Sequence, residues 1–372
     1  MNFKKVNTMQ GEFSAGKVIV TPETEQEAEN WAIKGYGRRK SARTELSQEE
    51  VAFLLERGKL TLKLEDSELC FDEFLIRVLD TTPMFTVRYL VYKDLKERGY
   101  AIKTGGVDFW LYPRGAKQGE KPAKYFIHIL AESDFISLIE LSELLISARN
   151  MRKELILAVV DEESDITYYE VKDPRFDDGI EAESTEGKAK ASLVGDRVVL
   201  WDADLAENLY KNNFYGKLTK EKRLLLSLVE AAYLMKKSLL VIETPNSKQA
   251  NMSFEQFIKY ASTIETDIMD KYIVYEDLKG KGLNAKTGFK FGSHFRVYKA
   301  MQQKHSLYLV HVLPHDHVFS MTGLSRAVRL AHGVKKRMIF AFMCSSSTVQ
   351  ALPTEQMPEQ RIKYVDVGRM KL

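Results

Sequence analysis

The chain repeats itself. Tyr92-Lys93-Asp94-Leu95-Lys96 recurs as Tyr275-Glu276-Asp277-Leu278-Lys279, and Lys103-Thr104-Gly105 recurs as Lys286-Thr287-Gly288, both displaced by 183 positions (275 − 92; 286 − 103). The same displacement relates Met151–Val159 to Val334–Phe342 (336 − 153). Upstream, Gly37 and Gly216 lie 179 apart (216 − 37), and Glu50 and Glu230 lie 180 apart (230 − 50). The closing runs Ile166–Val171 and Ile362–Val367 also match. A duplicated chain must fold as two like units, so the positions at which the copies differ are the first place to look for function.

Hydrophobic periodicity gives each copy two subdomains. In the first, Lys17–Val20 reads as a strand and 23–33 as a helix, broken at Lys34–Gly37. A second helix, Ser47–Arg57, opens with Ser47 as N-cap and Glu50 three residues on, a capping box. Downstream the order recurs as strand Arg197–Leu200, helix Ala203–Lys211, the breaker Phe214-Tyr215-Gly216 and a helix predicted over Lys222–Lys236. The second subdomain, read in copy two, predicts a helix Phe257–Lys281, a Gly-rich turn, strands His294–Tyr298 and Leu307–Leu313, a helix Gly323–Gly333, a strand Arg337–Met343 and a late strand Ile362–Val367. Strands alternating with helices make a mixed sheet flanked by helices. The expected class is α/β (α+β) in tandem duplication, with boundaries at 1–83, 84–172, 191–265 and 266–372. Between the copies, 173–190 reads as a linker, rich in acid, Gly, Ser and Lys and nearly free of large apolar residues.

Composition excludes several classes. With 372 residues and 44% hydrophobic content the chain supports more than one core. No apolar run approaches the roughly 20 residues that span a bilayer, and the N-terminus lacks a signal-peptide core. An intracellular, cytoplasmic protein is expected. Cys70 and Cys344 suggest neither a disulfide framework nor a zinc site, and both read as small core residues. A net charge of +3 does not announce a polyanionic partner, so local chemistry must carry that argument.

In Phe295-Arg296-Val297-Tyr298 the strand alternation separates Phe295 and Val297 from Arg296 and Tyr298, with Tyr298 at a strand end from which its hydroxyl reaches solvent. His305 opens the following strand and returns to Tyr298 if the two form a hairpin. Lys336 stands where a helix gives way to a strand. A Tyr, a His and a Lys without a metal cluster suit the attack of an RNA 2′-hydroxyl on its adjacent phosphate. A base removes the 2′ proton, an acid protonates the departing 5′ oxygen, and a fixed cation offsets charge on the phosphorane. Tyr298, His305 and Lys336 fit those roles in that order, and an imidazole with an ordinary pKa of about 6.5 suits the acid. Plainer readings stand beside these: a half-buried packing tyrosine, a hydrogen-bonding histidine, a lysine capping helix carbonyls.

The copies differ at these positions. Tyr112 corresponds to Tyr298 and Lys153 to Lys336, but the position matching His305 is Pro122, which transfers no proton. A scaffold copy predicts that substitution, and so does plain divergence. The turn Phe289–His294 is also three residues longer than its counterpart, 106–108.

The motifs Val274-Tyr275-x-Asp277-Leu278, Lys286-Thr287-Gly288-Phe289-Lys290-Phe291-Gly292-Ser293-His294-Phe295-Arg296-Val297-Tyr298, His305-Ser306-x-Tyr308-Leu309-Val310 and Val328-Arg329-Leu330-Ala331-His332-x-Val334-x-Lys336 resemble the archaeal tRNA-splicing endonucleases. The duplicated layout, with the motif-bearing copy second, looks like the homodimeric class of that family and covers essentially the whole chain. The resemblance implies metal-independent cleavage of precursor tRNA at bulge-helix-bulge junctions, leaving a 2′,3′-cyclic phosphate and a 5′-hydroxyl. It implies no cofactor. The family's catalytic Tyr, His and Lys fall on Tyr298, His305 and Lys336, which makes 266–372 the catalytic subdomain and 84–172 a non-catalytic one. His294 and His332 fall outside that triad and read as structural or RNA-proximal.

The same resemblance carries two binding expectations. Family members hold an unstacked bulge base between two arginines, whose positions resemble Arg329 and Arg369, and an arginine plane stacks well on a splayed base. They also pair through an acidic loop that docks on a basic surface, for which Asp161, Glu162, Glu163 and Asp165 are the candidates; an acidic loop is otherwise simply solvated. The Tyr298–His305 loop is short for the family. Two other readings remain: a catalytically silent RNA-binding scaffold, and a metal-dependent nuclease of restriction type, whose Asp94-x-Lys96 and Asp277-x-Lys279 lie in helical runs rather than on strands.

Overall fold

The computed structural model describes residues 9–372 apart from 15–16, 23, 41–42, 66, 106–107, 117–120, 177–187, 245–246, 300–304 and 344–361. The middle of the linker, most of the Tyr298–His305 loop and the loop that includes Cys344 therefore lie outside the described residues.

The duplication is visible in the backbone. Each N-terminal subdomain carries a six-stranded sheet with the same strand order, and the remaining long strands form one ten-stranded sheet whose order is a palindrome. From one edge it runs Asn284–Thr287, Phe295–Tyr298, Tyr308–Val312, Arg337–Met343 and Ile362–Met370, then Ile166–Lys172, Glu154–Val160, Tyr125–Ala131, Phe109–Leu111 and Ile102–Thr104. The copies meet where Ile362–Met370 pairs antiparallel with Ile166–Lys172 in the register Val171 to Val367. Arg337 clamps this seam, its Nε donating to Asp366 at 2.7 Å while its guanidinium lies 3.0 Å from Glu170 of the other copy.

One face of the central sheet, with Val297, Val310, Ile339 and Ala341, packs on the helices Leu228–Lys236 and Ile268–Gly280. The other face, with Leu309, Met338, Val365 and Val367, lies under the helices Leu138–Asn150 and Met321–Gly333 of the two copies in a shared core.

The expected capping box at Ser47 and its counterpart at Ser227 anchor more than their helices. Glu50 bonds the Ser47 backbone N–H and reaches across to accept the Gly37 N–H at 3.0 Å. Glu230 does the same for Ser227 and Gly216, at 2.9 Å to Gly216. Each buried carboxylate thereby holds the glycine loop that faces the central sheet.

Three sequence expectations need correction. The helix expected from Lys222 starts at Leu228, because Leu224–Leu226 is a strand paired with Arg197–Leu200 and Ser227 caps the helix. The run 257–281 is two helices, Phe254–Ser262 and Ile268–Gly280, broken where the Ser262 and Thr263 hydroxyls donate to the carbonyls of Ile258 and Tyr260. Cys70 is exposed, not core, and occupies the N-cap of the helix Phe71–Leu79.

Candidate active site

Strand register brings the sequence-picked residues together. Val297 pairs with Tyr308, and the Leu307 N–H donates to the Val297 carbonyl at 2.8 Å, so the expected hairpin forms. Tyr308 pairs with Arg337, Met338 with Val367, and Arg369 with Tyr169. Continuing these registers by one or two residues gives a single row, Tyr298, Leu307, Lys336, Arg369 and Tyr169, across five adjacent strands. With strands about 4.8 Å apart, the backbones of Tyr298 and Lys336 stand roughly 10 Å apart. His305 is exposed two residues before Leu307, in a bend that precedes the strand Tyr308–Val312 rather than opening it.

Tyr298 is more enclosed than strand alternation suggests. It is 7% exposed, and its ring meets Phe214 edge to face at 5.2 Å and 70°. Phe214 comes from the N-terminal subdomain of copy two and sits in the left-handed region at φ +64°. Behind it, the Lys286 ammonium lies 4.4 Å from the Phe214 ring centroid and 4.9 Å from that of Tyr210, and donates to the Gly216 carbonyl at 2.6 Å. Burial pushes the Lys286 pKa down. This aromatic support was not legible in the sequence: Phe214 and Tyr298 are 84 residues apart (298 − 214), and the only hint was a phenylalanine in a Gly-rich breaker.

Lys336 follows a left-handed residue, Lys335 at φ +56°, and its N–H closes the helix Met321–Gly333 by donating to Ala331 at 2.9 Å. Its Nζ stands 5.8 Å from the Phe291 ring and makes no hydrogen bond to another described residue. Phe291 belongs to the longer turn of copy two, where a short 3-10 helix, Phe289–Phe291, is tied by N–H donation from Phe291 to Gly288 at 2.7 Å. A Cβ on Gly288 would meet the Ser293 carbonyl oxygen at 2.8 Å, so the close approach requires glycine. Phe289, at the outside of this turn, is 87% exposed.

His294 lies at the other end of the Tyr298 strand and is engaged structurally. Its Nδ1 accepts the Val312 N–H at 2.9 Å, its ring stacks on His311 at 4.4 Å, and its Nε2 faces Asp267 at 3.7 Å. Burial, then the neighbouring His311 and Lys271, push its pKa down to about 4. His332 is exposed in the last turn of its helix.

Arg329 and Arg369 are both exposed and line one small cavity of about 30 Å³ with Thr167, Tyr169, Ser325 and Val328. It opens beside a larger groove of about 580 Å³ between the helix Met321–Gly333 and the acidic loop, lined in part by Arg326, Arg329, Tyr169, Asp161 and Asp165. In that loop Asp161 accepts the N–H groups of Glu163 and Asp165, and Glu162, Glu163 and Asp165 are exposed. The acid-x-Lys pairs do lie on helices, where Asp94 accepts the Tyr168 hydroxyl at 2.7 Å and Asp277 that of Tyr364 at 2.5 Å. Among the described residues no three His, Cys, Asp or Glu side chains cluster as metal ligands, and no helix is long and apolar enough to cross a membrane.

A duplicated α/β chain that sets a tyrosine and a lysine in one row of a shared sheet, with a histidine in the adjoining bend, presents residue types able to exchange protons. The model of the tRNA intron endonuclease N-terminal domain matches residues 9–75 and 189–258, and that of the tRNA intron endonuclease catalytic C-terminal domain matches 85–168 and 268–351. The chain belongs to the tRNA intron endonuclease family. It is 41% identical over 342 residues to the tRNA-splicing endonuclease of Methanococcoides burtonii, covering 91% of this chain and 93% of that one. It is 40% identical over the full length of both chains to that of Methanosarcina mazei, and 34% identical to that of Natronomonas pharaonis over 90% of this chain and 95% of that one.

Proposed function

We propose that this chain is an endoribonuclease that cuts intron-containing precursor tRNA at bulge-helix-bulge junctions without a metal ion. The observation that carries the reading is the shared row of Tyr298 and Lys336, with His305 in the bend two residues before Leu307 of the same row. Tyr298 takes the proton of the 2′-hydroxyl, whose oxygen attacks the adjacent phosphorus. The bond from phosphorus to the 5′ oxygen breaks as the His305 imidazolium protonates that oxygen. The Lys336 ammonium offsets charge on the phosphorane. The products carry a 2′,3′-cyclic phosphate and a 5′-hydroxyl.

Arg329 and Arg369, which line one cavity, hold an unpaired bulge base between their guanidinium planes. The working unit is a homodimer in which Glu162, Glu163 and Asp165, with the turn set by Asp161, dock on a basic surface of the partner, and the substrate puts the reaction in the cytoplasm. The test is incubation with an intron-containing precursor tRNA in excess EDTA, scoring the ends. Cyclic phosphate and 5′-hydroxyl are expected; cleavage that requires added metal, or leaves a 5′-phosphate, overturns the reading.

A further inference from the structure

The two copies solve the same loop differently. In copy one the glycine breaker reads Gly35-Tyr36-Gly37, with both glycines left-handed at φ +72° and +69°. In copy two it reads Phe214-Tyr215-Gly216, and the first position keeps its left-handed φ of +64° although it now bears a side chain that disfavours it. The surroundings match in both copies: Glu50 and Glu230 accept the glycine N–H, and Tyr36 and Tyr215 are buried. Nothing in the loop's own bonding calls for phenylalanine where glycine is unstrained. What the ring adds is contact both with Tyr298 and with the Lys286 ammonium. Strain retained at a site that a glycine would relieve marks a position held for a purpose other than stability.

We propose that Phe214 is a positioning residue for Tyr298. Its edge-to-face contact fixes the rotamer of the phenol, and its ring is held in turn by the half-buried Lys286 cation, which is itself anchored on the Gly216 carbonyl. The N-terminal subdomain of copy two thereby reaches into the site and orients the group that takes the 2′ proton. In copy one, Gly35 offers no ring to Tyr112.

This inference rests on Tyr298 acting as the base. The experiment compares Phe214→Gly, Phe214→Leu, Phe214→Tyr and Tyr298→Phe in single-turnover cleavage of a bulge-helix-bulge RNA across pH, alongside thermal melts. Phe214→Gly should melt within a few degrees of the parent because glycine takes this φ freely. Its cleavage rate should fall at least tenfold with substrate affinity within about twofold, and its pH–rate profile should shift on the limb that reports the base. Phe214→Tyr, which keeps the ring, should restore the rate to within about threefold, whereas Phe214→Leu should not. Should Phe214→Gly prove too unstable, the Leu and Tyr variants, both strained alike, decide the matter. A Phe214→Leu or Phe214→Gly protein with the parent rate, or one whose loss lies in affinity, overturns the inference while a dead Tyr298→Phe leaves the proposed reaction standing. A fully active Tyr298→Phe overturns both.

Discussion

Copy one and copy two share a backbone and part company in their chemistry. Arg152 and Lys335 occupy the same left-handed position at φ +56°, and Lys153 and Lys336 each close a helix at 2.9 Å. Yet the Lys153 ammonium is used up in the fold, donating to the Ala123 carbonyl at 2.8 Å over the Trp110 ring, while Lys336 stands beside Phe291 with no such bond to a described residue. Pro122 stands where copy two has His305, and Gly35 where it has Phe214. At the far end of the strand, Asp108 pairs with His128 at 3.0 Å, whereas His294 stacks on His311. In both, the first residue accepts the same backbone N–H, from Ile129 at 3.4 Å or Val312 at 2.9 Å. Folding constrains the backbone acceptor; it leaves the charge of the group free to change.

The largest effect should come from making copy two resemble copy one. His305→Ala should lower single-turnover cleavage by about 10²–10⁴-fold, the range that general acids contribute, with unchanged melting. Pro122→His should create no activity, because Lys153 is already committed. Parent-like cleavage by His305→Ala would erase the functional distinction between the copies.

Next comes the seam where the copies meet. Arg337→Met leaves Asp366, 2% exposed, and Glu170 without their shared cation. Removing one partner of a buried pair costs about 3–5 kcal/mol, and the Arg337 side chain is 32% exposed, so a loss of about 2–3 kcal/mol in urea unfolding is expected. An unchanged midpoint would show that the sheet register and the shared core hold the copies together without the ion pair.

The histidine pair predicts a pH effect. The folded pKa of His294 is about 4 against an ordinary value near 6.5, so the folded state binds fewer protons than the unfolded chain between those values. Its contribution is complete above pH 6.5 and is lost as pH falls towards 4. Burial also pushes His311 and His317 down in the same direction, with Asp267 opposing at His311 and Asp316 at His317. His294→Asn keeps an acceptor for the Val312 N–H but does not titrate, so the urea midpoint should fall less steeply from pH 6.5 to 4 than in the parent. Parallel pH slopes would assign the effect to other groups.

The smallest effect contrasts two helix starts. Ser253, 183 residues after Cys70 (253 − 70), completes a capping box with Gln256 through its hydroxyl, whereas at Cys70, whose N–H donates to Glu73 at 3.0 Å, the capping side chain is a thiol. Cys70→Ser should stabilise by about 0.5–1 kcal/mol, read as a rise in the urea midpoint, because a hydroxyl caps better than a thiol. No gain would mean that the thiol already serves.

Much of this was legible in sequence because it depends on local chemistry. The capping box at Ser47 and the alternation through Tyr298 rest on neighbours within a few residues, and the duplication is read by comparing the sequence with itself. The rest depends on partners far away or on patterns that fit two structures. Leu224–Leu226 suits a strand as well as a helix, and its pairing with Arg197–Leu200 decides it. Tyr298, His305 and Lys336 were readable as residues, but the row that aligns Tyr298 with Lys336 exists only through two strand pairings. Phe214 was not readable at all, since its role is a contact between subdomains.

The palindromic sheet has a consequence for how the chain must be made. A half-chain released alone would present Ile166–Lys172 or Ile362–Met370 as a long open edge, a template for pairing with any available strand. The linker 173–190 makes the correct partner the nearest one, turning a bimolecular encounter into an intramolecular search at an effective concentration on the order of millimolar. Covalent continuity thus acts here as a local chaperone, keeping each copy's edge strand close to its intended match.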